Sequence, residues 1–124
     1  MRVRNVRWVG TATTEYDVMV SFLRDVLGLR PTFKESATVE FATTEGDAFQ
    51  VMGPGDPYYD FFAEHANGPV PLLEVDDVHQ ALTELESAGI EIVGPLREDS
   101  HWQWIHFRAP DGHLYELASR VVRD

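Results

Sequence analysis

The sequence predicts an α+β fold made of two βαβββ repeats, and three observations predict it. The first is an internal repeat. "EGDAFQVM" (45–52) aligns without a gap with "DGHLYELA" (111–118), and "TVEFAT" (38–43) with "WIHFRA" (104–109), both at an offset of 66 residues (Gly46 to Gly112). The second is that each half carries an apolar segment of helical period that stops at a glycine, Gly28 in one and Gly89 in the other. The third is that the other segments alternate apolar and polar residues, the two-residue period of half-buried strands. One helix and a few strands are too little to bury both faces of a sheet, so the two units are expected to pair.

Taken in order, "VRNVRWVGT" (3–11) is a strand, with Val6 and Trp8 on one face and Arg7 and Val9 on the other. A helix is predicted over 14–27, capped by Thr13 or Thr14. Its core-facing stripe is Met19, Phe22, Leu23, Val26 and Leu27. Strands near 30–35, 37–43 and 47–53 complete the first unit. The glycines and prolines at both ends of "GPGDPYYDFFAEHANGP" (53–69) exclude regular structure there, and its centre "YYDFFAEH" has room for one helical turn. That segment reads as a linker, approximately 55–67, which packs its aromatics. The second unit opens with the strand "VPLLEV". Asp76 or Asp77 then caps a helix over 77–88 that turns Val78, Ala81, Leu82 and Leu85 inward. "IEIVGPL", "WQWIHFRA" and "HLYELAS" supply the remaining strands, and the terminal "RVVRD" is expected to fray. The expectation is thus a single domain over 1–124, with units at approximately 1–54 and 68–120.

Composition narrows the function. Ten basic against 21 acidic residues give a formal net charge of −11. Nucleic-acid binding is disfavoured, because a phosphate-binding surface needs a basic stripe. No apolar run reaches the length of about 18 residues that a membrane helix needs. "MRVRNVRWVG" lacks the long apolar stretch of a signal peptide. The chain has no cysteine, which removes disulfides, thiolate metal sites and cysteine nucleophiles and fits a cytoplasmic location.

"FLRDVLGLR" after a first strand, "LLEVDDVHQALTELESAGIEIVGP" and "FRAPDGHLYEL" resemble the vicinal oxygen chelate superfamily. That group includes glyoxalase I, extradiol dioxygenases, fosfomycin-resistance transferases and bleomycin-resistance binding proteins. The resemblance covers essentially the whole chain. Its "DVLGL" and "PDGHLYEL" motifs specify the fold, and one such fold hosts many chemistries. It implies that the units form a half-open mixed sheet around a cleft. Strand alternation then sends Phe41, Phe49, Val51, Ile105, Phe107, Tyr115 and Leu117 under the helices. The opposite phase sends Glu40, Gln50, Trp102, Trp104, His106 and Glu116 to the cleft, with Trp8 from the first strand. Metal-dependent members of the superfamily use four positions, which fall here on Trp8, Gln50, Val70 and Glu116. Tryptophan and valine cannot ligate a metal and glutamine is a weak ligand, so no metal and no other cofactor is expected. His106, Glu116 and Glu40, with His101 near a strand start, are the set from which a metal site would have to be rebuilt.

Three tryptophans with a few polar groups either wall a small-molecule pocket or fill a space that lost its metal. The first function this points to is a cytoplasmic homodimer that sequesters an organic, partly aromatic or cationic small molecule. Glu116 would be the charged contact, with His106 and Gln50 as hydrogen-bonding partners. The alternative is a lyase or isomerase acting next to a carbonyl, possibilities for its general base being His106 and Glu116, with or without a metal at a rebuilt site. A third alternative is a non-catalytic subunit or interaction module.

Overall fold

The computed structural model describes residues 1–122. Among them are nine β-strands and three α-helices, an α+β chain. It divides into two compact units, one formed by Trp8–Val70 and the other by Met1–Arg7 together with the chain from Pro71 onward. The first strand, β1 (Val3–Ala12), therefore contributes to both.

In the Trp8–Val70 unit, β2 (Arg30–Glu35), β3 (Thr38–Ala42) and β4 (Ala48–Met52) line up with β1 in the order β2-β3-β4-β1. The pairings are antiparallel except β1 with β4, which is parallel. Helix α1 (Tyr16–Ser21) continues as a π-helical segment over Phe22–Val26, where the Leu27 N–H reaches back to the Phe22 carbonyl at 3.1 Å. Leu23, Val39, Phe41 and Val51 form the core beneath it, with Tyr16, Met19, Val20, Leu29 and Phe49 packed around them.

This helix differs from the expectation in three ways. Its core-facing stripe is the buried Leu23 with the half-buried Tyr16, Met19 and Val20, while Phe22, Val26 and Leu27 are exposed. Both faces of the segment are apolar, so periodicity does not choose between them. The π-helical segment, with its longer turn, also carries the last residues away from the stripe. Finally, the Thr13 hydroxyl accepts the Glu15 N–H at 2.9 Å and forms a turn ahead of the helix, so neither Thr13 nor Thr14 caps it. In the glycine- and proline-flanked segment, α2 (Tyr59–His65) is longer than the single turn expected, and it buries Phe62.

The other unit orders its strands β5-β9-β8-β6, where β5 is Val70–Val75, β6 Glu91–Ile92, β8 Trp102–Arg108 and β9 Leu114–Arg120. The short β7 (Arg97–Glu98) also pairs with β8. The strand expected over "IEIVGPL" is cut short to Glu91–Ile92, where Gly94 takes a positive φ of 82° just before Pro95. Asp77 caps α3 (Val78–Ser87) by accepting the His79 and Gln80 N–H groups. The Val78 N–H, first in the helix, is taken by the buried Ser119 hydroxyl of β9 at 3.0 Å. Val75, Val78, Ala81, Ile105 and Leu117 form the core, with Leu73, Leu82, Leu85, Leu96 and Phe107 against it.

The repeat is structural as well as sequential. Glu40 faces Gln50 across β3 and β4, and His106 faces Glu116 across β8 and β9. The connecting turns match too: the Thr43 N–H bonds the Asp47 carbonyl at 2.9 Å, and the Ala109 N–H bonds the His113 carbonyl at 2.9 Å. Gly46 and Gly112 supply the left-handed residue in each, at φ 92° and 85°. Of the terminal "RVVRD", Val121 is tied to the His101 carbonyl at 2.8 Å, and Arg123 and Asp124 lie outside the described residues. Among the described residues no helix is long and apolar enough to cross a membrane.

Candidate functional site

Register assigns the faces of the β5-β9-β8 sheet. Paired residues share a face, so His106 with Glu116, Trp104 with Ala118 and Trp102 with Arg120 all stand on one side, joined by Leu72 and Glu74 of β5. The alternating residues Ile105, Leu117, Leu73 and Val75 take the other side, under α3. The structure therefore brings Trp102, Trp104, His106 and Glu116 together on the helix-free face.

Two carboxylates are buried there, Glu116 and Glu74, each 7% exposed. A buried carboxylate is costly unless a partner compensates it. Glu116 has His106, whose Nε2 lies 2.7 Å from Oε1. That distance defines the contact, since the ring N–H is not aimed along it. Glu74 has three partners: the Asn5 amide donates to Oε1 at 3.1 Å, and Arg7 and Arg120 approach to 3.8 Å each. Both guanidiniums also lie over the Trp102 ring, Arg120 at 4.5 Å and Arg7 at 5.5 Å from its centroid.

Glu74, Arg7 and Arg120 were not among the sequence candidates. The signal for Glu74 was present: "VPLLEV" alternates, so Glu74 falls in phase opposite Leu73 and Val75, as Glu116 does opposite Leu117. Arg120 was marked in the same way, two steps of alternation beyond Glu116 on β9, while nothing comparable marks Arg7.

In the Trp8–Val70 unit the candidates Trp8, Gln50 and Glu40 share the helix-free face of its sheet. They form a hydrogen-bonded chain in part. The Trp8 indole N–H donates to the Gln50 Oε1 at 3.0 Å, and the Gln50 amide donates to the Thr38 hydroxyl at 2.8 Å. That hydroxyl donates in turn to the Val51 carbonyl at 3.1 Å. The Trp8 ring lies over Gly10 and packs 6.3 Å from the Phe62 ring, centroid to centroid. Trp8 is thus half-buried and hydrogen-bonded within this unit.

The four positions that the superfamily uses for a metal do not fit one by their chemistry. Trp8 and Val70 have no lone pair to offer, and Val70 is buried. Both ends of the Gln50 amide are already engaged. Glu116 remains, and one carboxylate does not hold a divalent ion against water.

Two βαβββ repeats in one chain, each with a helix on one sheet face and a tryptophan-bearing polar face opposite, define an α+β fold class. The sequence profile of the Glyoxalase/Bleomycin resistance protein/Dioxygenase superfamily matches residues 5–117, and the chain belongs to that superfamily. No curated protein matches it in sequence. It is similar in structure to a superfamily member from Vibrio splendidus 12B01, at 21% identity and a TM-score of 0.72, with 91% of this chain and 96% of that one covered. It is similar also to methylmalonyl-CoA epimerase from Mycobacterium tuberculosis, at 22% identity and a TM-score of 0.73, with 97% and 90% covered. A third likeness is to the Mn(II)-bound glyoxalase from Novosphingobium aromaticivorans, at 23% identity and a TM-score of 0.68. That alignment takes in 99% of this chain and 42% of the glyoxalase. At these identities the likenesses show a shared fold.

Proposed function

We propose that the protein binds a small organic molecule on the helix-free face of the β5-β9-β8 sheet, without a metal, and does so as a cytoplasmic homodimer. The observation that carries this is the grouping of Trp102, Trp104, His106 and Glu116 on one face, next to a second buried carboxylate at Glu74. Aromatic walls with a few fixed polar groups are what a small-molecule site needs. Glu116 is already held by His106, so the pair offers a ligand hydrogen bonds and not a bare charge. Absence of cysteine supports the cytoplasm. An apolar stripe of Val18, Phe22 and Val26, exposed on the helix of the Trp8–Val70 unit, supports self-association.

A second function, proton transfer next to a carbonyl, is favoured by the 2.7 Å His106–Glu116 contact, which places an imidazole and a carboxylate, either of them a candidate general base, side by side on this face. One experiment separates the two. The protein is incubated with pyruvate in deuterium oxide, and loss of the methyl proton signal is followed by NMR. In parallel, quenching of tryptophan fluorescence by benzyl alcohol measures binding. The binding function expects saturable quenching and exchange at the rate of buffer. Exchange above that rate, abolished in Glu116→Gln and His106→Gln while quenching persists, would establish the base instead. Absence of both signals would refute both.

A further inference from the structure

We propose that the same face holds the oxyanion of an organic acid, a carboxylate or phosphate bound between Arg7 and Arg120; this rests on the small-molecule site proposed above. The two guanidiniums share a single buried carboxylate, Glu74, while the second buried carboxylate of this face, Glu116, has His106 as its neighbour. One arginine would have neutralised Glu74. The second is surplus to that need.

The contacts to Glu74 are loose. Each closest approach is 3.8 Å, and the nearer Glu74 oxygen for Arg7 already takes the Asn5 amide. Charge-assisted hydrogen bonds run about 2.7–2.9 Å, so neither arginine has closed one on Glu74. Both side chains are open to solvent, 46% exposed for Arg7 and 58% for Arg120. Both are nonetheless held in place, because each guanidinium lies over Trp102. A stacked, solvent-open guanidinium keeps its fork of N–H donors for a planar or tetrahedral oxyanion.

Register gives the ligand a length. Trp102 pairs with Arg120, Trp104 with Ala118 and His106 with Glu116. Arg120 is thus four residues from Glu116, about 13 Å along the strand. Between them stands Ala118, which takes up little height, with Trp104 beside it. The fitting ligand is an extended organic acid. Its anion sits at the arginines, its flat or unsaturated body lies over Ala118 against Trp104, and its far end meets His106 and Glu116. The preference this gives is for an anion, the reverse of the cationic ligand that an isolated Glu116 suggests.

The test is a titration of the full chain with phenylacetate, phenyl phosphate, benzyl alcohol and phenethylamine, read by tryptophan fluorescence and calorimetry. At least one of the two anions should bind more tightly than the neutral alcohol, and the amine most weakly; the tighter anion identifies the oxyanion. Arg120→Gln should weaken the anions about ten-fold or more and leave benzyl alcohol unchanged, with Arg120→Lys recovering part of the loss. Glu74→Gln removes the internal competitor and keeps the Asn5 contact, so it should tighten anion binding, which a merely structural cluster would not do. If the Arg120 variants fail to fold, Arg7→Gln and Glu74→Gln carry the same comparison. Equal binding of acid and alcohol, unmoved by these variants, overturns the oxyanion site and leaves the small-molecule site standing. Failure of every probe, alcohol included, removes both.

Discussion

Gly10→Ala tests the packing of the Trp8–Val70 unit most directly. A Cβ at residue 10 would fall inside the Trp8 indole, against Cη2, Cζ2 and Cζ3, the farthest of the three only 2.7 Å away. Gly10 is flanked by strand backbone and takes no positive φ, so the penalty is steric alone. Three magnitudes compete. Alanine is better than glycine in a strand by roughly 0.5–1 kcal/mol. Displacing a packed ring costs about 1–3 kcal/mol in strain. The displaced indole also loses its 3.0 Å hydrogen bond to Gln50, about 1 kcal/mol more. The net expectation is a destabilisation of about 1–3 kcal/mol. Urea unfolding followed by far-ultraviolet circular dichroism measures it from the midpoint at constant slope. A Trp8→Ala background supplies the control: there the clash is gone, and Gly10→Ala should be neutral or stabilising by about 0.5–1 kcal/mol. Wild-type stability in the single variant, within about 0.5 kcal/mol, would show that Trp8 does not lie over Gly10.

Three further outcomes are expected. Tyr16→Phe should stabilise the protein by about 1 kcal/mol, because the Tyr16 hydroxyl is buried with no hydrogen-bond partner among the described residues. Burial first, then Asp17 and Asp56, pushes the Tyr16 phenol up, so wild type should lose stability as pH rises above about 10 while Tyr16→Phe should not share that part of the loss; identical alkaline unfolding of the two would contradict it. Ser119→Ala should cost about 1–3 kcal/mol in thermal or urea unfolding, since it leaves the buried Val78 N–H at the start of α3 without its acceptor. The Arg4 hydrogen bond, with help from the charge of Arg2, holds the Asp76 carboxyl below its usual range. Its contribution is present above about pH 4 and is lost as pH falls through the lowered value. Protection of the Val3–Arg7 amides, relative to the intrinsic exchange rate at each pH, should then fall in acid, an effect that Asp76→Asn should produce at neutral pH; protection unchanged by either would remove the pair from that role.

The repeat was legible because it is written in side-chain identity and turn glycines together. Gly46 and Gly112 must take a positive φ for their hairpins to close, and a fixed turn sets the register of the strands that follow. Once register is set, a period of two places Glu40 with Gln50 and His106 with Glu116, as found. The orientation of α1 was not legible. Its segment is apolar on both sides, and only packing decides that Leu23 is buried and Val26 is not. The role of Trp8 was open for a similar reason: a tryptophan in cleft phase is compatible with a wall or a filler, and its partner Gln50 lies 42 residues away in sequence. Arg120 shares the phase of Glu116 and was within reach of the alternation, but Arg7 was not, because its approach to the Trp102 ring joins the first strand to a segment some ninety-five residues later.

The division of the chain bears on how it folds. Trp8–Val70 is continuous, and its contacts close over short separations such as the β3-β4 hairpin. The other unit is discontinuous: Asn5 and Arg7 wait for Glu74, Arg4 for Asp76 and the Met1 amine for Glu84, partners 67 to 83 residues downstream. Loop closure of that length is the slow part of assembling a small domain. During synthesis the middle of the chain can complete its core while the first seven residues are still unpaired. The arginines that flank Trp102 and Glu74 are then among the last groups to reach their places, so the polar face matures after the scaffold that carries it.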